Sequence, residues 1–405
     1  MLMIGTSAVI VSKIAGVLAS SYVAWTAYST MPETELRRDI HKAFRAGGLG
    51  KKVTRRAGKT SKEIIIHPKV QRVSVSLERK QIVFTVPTGM NPKEVFDHDW
   101  LFMQVFGEHI ELSGTVKTFA LNVYREGISM FDYDTAEAAE TIKGLRLPIY
   151  VGRGRTGGVA YDMTEHPHLL VAGETGSGKS VALRSIITTL IRSTEKMDLY
   201  CADLKRSEFH LFRGIAVDVV MDAVSLHRIL LKLRKEMQKR GDLLDQEGLA
   251  HIDDLPDEKR PNYIVLAIDE VSLLKKHECM DIVEEISAIG RALGVFLILS
   301  MQRPDADVLD GKLKNNLTVR MAFRHADEIN SRITIGSGEA ANIKQSQKGL
   351  MIHKLDGLRF VQAPYLDIPK ARELLEPYKQ GEEEGQEEGA QEAEDDDFEL
   401  GGLPF

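Results

Sequence analysis

The chain has 405 residues, 43 % of them apolar, which supplies enough core for more than one domain and excludes a wholly disordered protein. Its formal net charge of −6 is unevenly spread: eleven acidic and no basic side chains fall in residues 381–405, leaving a net positive remainder that suits a polyanionic partner. Cys201 and Cys279 stand far apart without metal-ligand spacing, so they read as reduced thiols, and a disulfide framework is excluded.

Between Met1 and Tyr28 the only charged side chain is Lys13. That stretch is long enough to cross a bilayer as one helix, which needs about 20 mostly apolar residues. Trp25 and Tyr28 near one end fit the headgroup region. Residues 1–30 are therefore expected to span the membrane, with a cleavable signal ending near Ala24–Ala27 or a buried helix as alternatives. From Arg37 to Lys62 there are ten Lys or Arg against one acid, Asp39. This basic juxtamembrane segment, 31–62, would keep everything after it in the cytoplasm, giving a single-pass protein of the cell membrane. Contact with anionic lipid or with nucleic acid explains the charge equally well.

Residues 63–146 read as a small α+β adaptor. Arg72–Leu77, Gln81–Val86 and Thr118–Tyr124 alternate as strands, and Pro92–Phe106 has a helical pattern with proline in its first turn. No catalytic constellation appears there. A longer α/β pattern occupies 147–372. The tail, 373–405, is too acidic and too poor in apolar residues to fold. It closes on Asp395-Asp396-Asp397-Phe398-Glu399-Leu400 followed by Gly401-Gly402-Leu403-Pro404-Phe405.

Gly173-Glu174-Thr175-Gly176-Ser177-Gly178-Lys179-Ser180 fits G-x-x-x-x-G-K-[ST] in full. The apolar run His168–Ala172 before it reads as a buried strand, and Val181–Ile191 after it as a helix. In that setting the main-chain amides curl around phosphate oxygens at a helix N-terminus. Lys179 reaches the β- and γ-phosphates of ATP, and Ser180 ligates Mg²⁺. A second apolar run, Tyr263–Ile268, ends in Asp269 and Glu270. It reads as a central parallel strand delivering two acids to the sheet edge where ligands bind. Asp269 would hold Mg²⁺ through water, and Glu270 would polarise the attacking water. A third strand, Val295–Ser300, brings Gln302 to the same edge, within sensing distance of the γ-phosphate. A fourth, Met197–Ala202, leads to Lys205 and Arg206. These two, with Lys312 and Lys314, are the candidate nucleic-acid contacts.

The series His168–Ser180, Ala267–Leu273, Ile289–Val295, Ser300–Pro304 and Asn330-Ser331-Arg332 resembles the motor domain of the FtsK/SpoIIIE DNA translocases. Leu147–Gly152 is similar to the strand that opens that domain. The resemblance covers about 145–369. It implies a RecA-like ATPase with a mostly parallel sheet, assembled as a homo-hexamer around double-stranded DNA, with ATP between subunits. Arg291 is similar in position to the family's arginine finger. Asp327-Glu328 stands where many members have a lysine, and Arg324 or Arg332 could substitute. The layout looks like the compact coupling-type members of conjugative elements, plasmids and phages. The acidic C-terminal tip resembles that of bacterial single-stranded-DNA-binding proteins, which docks on partner proteins. Two other readings remain open: a protein-secretion ATPase of the type VII kind, and a non-motor ATP-binding tether for a DNA-processing partner.

Overall fold

The structure is a computed structural model that describes residues 31–57, 60–76, 79–274, 278–304, 308–309 and 311–379. The expected membrane span, 1–30, and the acidic tip lie outside the described residues. Among the described residues no helix is long and apolar enough to cross a membrane. The described residues divide into two compact units, the first ending at Gly127 and the second beginning at Ile128.

The first unit opens with α1 (Pro32–Ala46), whose proline occupies the first turn and whose Leu36, Ile40, Ala43 and Phe44 are buried along one face. A two-stranded hairpin follows, β1 (Lys51–Ala57) and β2 (Thr60–Ile66). Next come β3 (Lys69–Val75), β4 (Arg79–Thr85), α2 (Lys93–Asp97), α3 (Asp99–Phe106), β5 (Ile110–Gly114) and β6 (Thr118–Tyr124). The four later strands form one antiparallel sheet in the order β3-β4-β6-β5. Its core joins Phe84 and Phe119 of the sheet to Phe44 of α1 and Phe102 of α3, with Phe44 and Phe84 rings 5.1 Å apart.

Two sequence expectations change here. The apolar stripe of α1 belongs to this core, so the folded module begins well before Glu63 and includes part of the segment read as juxtamembrane. The expected helix 92–106 is broken at His98, whose ring nitrogen bonds the Glu94 carbonyl at 2.7 Å and which stands between the end of one helix and the start of the next at Asp99.

The second unit carries α4 (Thr135–Thr141), β7 (Pro148–Gly154), β8 (Gly157–Asp162), β9 (Leu169–Ala172), α5 (Lys179–Ser193), β10 (Met197–Asp203) and β11 (Asp218–Val220). It continues with α6 (Ala223–Glu247), β12 (Tyr263–Asp269), α7 (Cys279–Leu293), β13 (Val295–Met301), α8 (Gly311–Asn316) and β14 (Val319–Ala322). It ends with α9 (Glu328–Ile335), β15 (Leu350–Lys354), β16 (Leu358–Gln362) and α10 (Ile368–Leu375). Tyr133 and Ala138 lie in its core, so this unit starts before Leu147.

The sheet order is β11-β10-β12-β13-β9-β14-β15-β16-β7-β8. The strands from β11 to β14 are parallel, and the pairings from β14 onward are antiparallel, giving the mostly parallel α/β sheet expected. Every residue of β9, β12, β13 and β14 is buried, as strands covered on both faces require. Asp222 caps α6 at its start, and Gly248 closes it in the left-handed conformation. Both cysteines are buried, and neither forms a disulfide among the described residues.

Burial also pushes the imidazoles of His168, His325 and His353 down to about 4. In the unfolded chain they titrate near 6.5. Each neutral ring thus contributes stability that is whole above about pH 6.5 and lost as the pH falls toward 4, on the order of 3 kcal/mol per ring. Acidification from pH 7.5 to 4.5 is expected to lower the urea midpoint. His353→Phe, which keeps a ring against Tyr161 at the 6.0 Å stacking position, should weaken that dependence. An identical slope in the variant would overturn this assignment.

Candidate nucleotide site

The loop Gly173–Gly178 leaves the carboxyl end of β9 and enters α5 at Lys179. Two glycines fix its shape. Gly178 is left-handed at φ +105°, and a β-carbon there would sit 2.6 Å from the Gly349 nitrogen. Gly173 would place one 2.6 Å from the Phe323 side chain. The loop is braced from outside as well. Gly349 N–H donates to the Ser177 carbonyl at 2.8 Å, and the Arg324 guanidinium pairs with Glu174 at 3.0 Å. Arg324 is therefore the arginine at this site, whereas Arg332 pairs with Glu328 on α9. Asp327 has a local role too, capping α9 through the Asn330 amide.

Register then assembles the chemistry. β9, β13 and β12 are adjacent and parallel, so their carboxyl ends meet. Lys179 is buried, and its ammonium donates to Asp269 Oδ1 at 3.1 Å and to Ser300 Oγ at 2.5 Å. Ser300 Oγ in turn donates to the same Asp269 oxygen at 2.8 Å. Lys179, Asp269 and Ser300 therefore share one buried site, and Glu270 follows Asp269 directly in the chain.

Glu270 is 4 % exposed and held at φ +61°, a left-handed conformation that costs a non-glycine residue about 1 to 2 kcal/mol. The turn it makes carries its carboxylate back across the strand ends. Oε2 accepts from Lys205 Nζ at 2.6 Å, and Oε1 accepts from the Ser272 hydroxyl. Both oxygens take the Gln302 main-chain N–H at 3.2 Å.

A cleft of about 620 Å³ opens over the loop. Glu174, Thr175, Gly176, Lys179, Ser180 and Gln302 line its phosphate end. Its far wall is Met130–Asp132 with Gln362–Tyr365, tied together by the Tyr365 N–H to Phe131 carbonyl bond at 2.8 Å. The set fits a magnesium nucleotide on its own terms: amides and an ammonium for phosphate, a hydroxyl and a buried carboxylate for a hard cation.

The remaining candidates are not gathered there. Arg291 lies near the end of α7, where the chain turns into the amino end of β13, and donates to the Thr164 carbonyl at 3.2 Å. That is the edge opposite the cleft of its own chain. Lys312 and Lys314 sit on α8, which leads into the amino end of β14. Lys205 and Arg206 follow the carboxyl end of β10, so the four proposed nucleic-acid contacts fall on two edges. Lys205 is engaged by Glu270.

Sequence reasoning passed over Ser300, although a hydroxyl near the end of a wholly apolar strand was a readable signal. It also missed Ser272, Lys348–Gly349 and the wall at 130–132 and 362–365, for which no motif exists.

Residues 142–276 match the FtsK/SpoIIIE family. The chain carries an FtsK/SpoIIIE domain. It is 34 % identical over 233 residues to the DNA translocase FtsK of Staphylococcus epidermidis, covering 52 % of this chain and 29 % of that one. With the DNA translocase FtsK of Staphylococcus aureus it shares 27 % identity over 323 residues, 74 % of this chain and 41 % of that one. The chain thus spans less than half the length of these relatives. Among solved structures, the pCW3 conjugation coupling protein TcpA, with ATPγS, superposes with a TM-score of 0.58 at 23 % identity, over 84 % of this chain and 99 % of that one. The type VII secretion ATPase EccC of Thermomonospora curvata gives 0.53 at 22 % identity, over 61 % and 34 %. Both likenesses are of fold alone.

Two substitutions test the geometry. Gly178→Ala collides with main chain at a left-handed position and is expected to abolish binding of a fluorescent ATP analogue. Ser300→Ala leaves Lys179 and Asp269 paired without their bridge, and should weaken binding about tenfold. Unchanged affinity in Gly178→Ala would show that phosphate binds elsewhere.

Proposed function

We propose that this protein is an ATP-hydrolysing DNA translocase. The observation that carries this reading is the buried Lys179, Asp269 and Ser300 cluster beside Glu270, on a domain whose family relatives are DNA translocases. The amides of 174–179 and the Lys179 ammonium bind the β- and γ-phosphates, with Lys179 exchanging its Asp269 contact for phosphate oxygen. Ser180 and Asp269 would hold a magnesium ion, which would neutralise charge on the phosphates. Glu270 orients the attacking water and accepts its proton. Gln302 lies at the phosphate end of the cleft, placed to report on the γ-phosphate.

In this reading the motor works as a homo-hexamer, because Arg291 faces away from its own cleft and can reach a γ-phosphate only across a subunit boundary. DNA contact is to phosphates, and is therefore sequence-tolerant and weakened by salt. Residues 1–30 anchor the protein in the cell membrane, with the motor on the cytoplasmic side. The assembly serves DNA transfer of the conjugative or plasmid kind. A protein-secretion ATPase shares the fold, so substrate is the property to measure.

Steady-state ATP hydrolysis with and without duplex DNA is the test. Duplex DNA is expected to raise the wild-type rate several-fold, and Lys179→Ala to remove activity in both conditions. Glu270→Gln should keep nucleotide binding and lose about a hundredfold or more in rate. Arg291→Ala should lose rate, and recover it in mixed assemblies whose neighbour supplies the arginine. Wild-type hydrolysis that ignores DNA but responds to a secreted polypeptide would overturn the DNA reading.

A further inference from the structure

The contacts around Glu270 pose a chemical difficulty for its role as a base. An ionised carboxylate offers about four lone-pair directions. Here Lys205 Nζ, the Ser272 hydroxyl and the Gln302 N–H, shared between both oxygens, supply four hydrogen bonds to it. The hydrogen of an attacking water therefore competes with donors already in place on both oxygens. One donor has to leave before Glu270 can act.

The three donors differ in how readily they can. The Gln302 N–H is main chain at the end of β13, and Ser272 belongs to the same turn as Glu270. Lys205 stands on a flexible four-carbon stem, and its side chain is 29 % exposed. Of the three donors it alone belongs to a side chain from outside the two segments that meet at Glu270, so its departure disturbs neither strand end.

The platform under Lys205 is rigid. The buried Asp203 carboxylate accepts the N–H groups of Ser207, Glu208 and Phe209, each at 3.0 Å, and its carbonyl accepts that of Arg206. Arg206 itself is exposed and left-handed at φ +58°. Two cations thus stand side by side on a fixed turn, one reaching inward to Glu270 and both within reach of an anion from solvent.

We propose that Lys205 is a positioning residue that keeps Glu270 inactive until a phosphate group takes its ammonium, so that phosphate arrival and hydrolysis are coupled through one ion pair. The phosphate comes either from a DNA backbone or from a nucleotide. This rests on the ATPase reading above, with Glu270 as its base.

The test is the rate of ATP hydrolysis by the full chain, with and without duplex DNA, for wild type, Lys205→Met, Lys205→Gln and Lys205→Arg. Both neutral variants are expected to raise the DNA-free kcat about tenfold with KM unchanged, and Lys205→Arg to stay at the wild-type rate. Lys205→Gln keeps length and polarity, and reads the same effect should Lys205→Met fail to fold. Loss of DNA stimulation in the neutral variants identifies DNA phosphate as the release signal. Stimulation by the wild-type factor on a raised baseline identifies the nucleotide. A DNA-free kcat that is unchanged or lowered in both neutral variants, or an Arg variant that behaves as they do, overturns the inference and leaves the ATPase reading standing. A wild type whose rate equals that of Lys179→Ala overturns both.

Discussion

A buried ammonium in contact with a buried carboxylate is the constraint around which the second unit is organised. Neither charge survives alone in that setting, since breaking such a pair by removing one partner costs about 3 to 5 kcal/mol. Lys179 and Asp269 therefore have to arrive together, and they come from positions ninety residues apart. Only the side-by-side packing of β9, β13 and β12 delivers them, and Ser300 closes the triangle from the middle strand. The sheet order is thus tied to the electrostatics of the site. A slip of one residue in β12 would turn Asp269 to the other face and leave Lys179 without its counter-charge.

The same edge collects the conformational strain. Glu270 is held left-handed so that its carboxylate turns back toward the Gln302 amide. Its neighbours in the sheet fix that turn, because β13 ends where the amide is needed. Lys205, on the rigid turn after β10, reaches the same carboxylate from the other side. Three strand ends therefore converge on one carboxylate, and each ends in polar residues after an apolar run.

The antiparallel half of the sheet has a different task. The turn into β15 brings Gly349 against the loop, where the close approach at Gly178 leaves no room for a side chain, and Gln362 of β16 supports that turn through the Lys348 carbonyl. The wall at Met130–Asp132 is tied to this half through Tyr365. The cleft is thus built from one motif-bearing loop and from segments that carry no motif. Arg291, on the far edge, bonds the Thr164 carbonyl.

The sequence alone determined the identity of the phosphate-binding loop, the strand that ends in Asp269 and Glu270, the strand that leads to Gln302 and the α/β class. Each of those is encoded in adjacent residues, as an apolar run with a polar end or as glycines at fixed spacing. It could not determine that Lys205 faces Glu270, that Arg324 braces Glu174, that Ser300 bridges Lys179 to Asp269 or that α1 lies in the core of the first unit. Those pairings join residues brought together only by strand order and packing, and the spacing of such partners along the chain carries no record of their distance in space. Lys205 shows the difference most clearly. As a charged residue past a strand end it read only as a surface contact for a polyanion, and strand register brings its ammonium to a buried carboxylate as well.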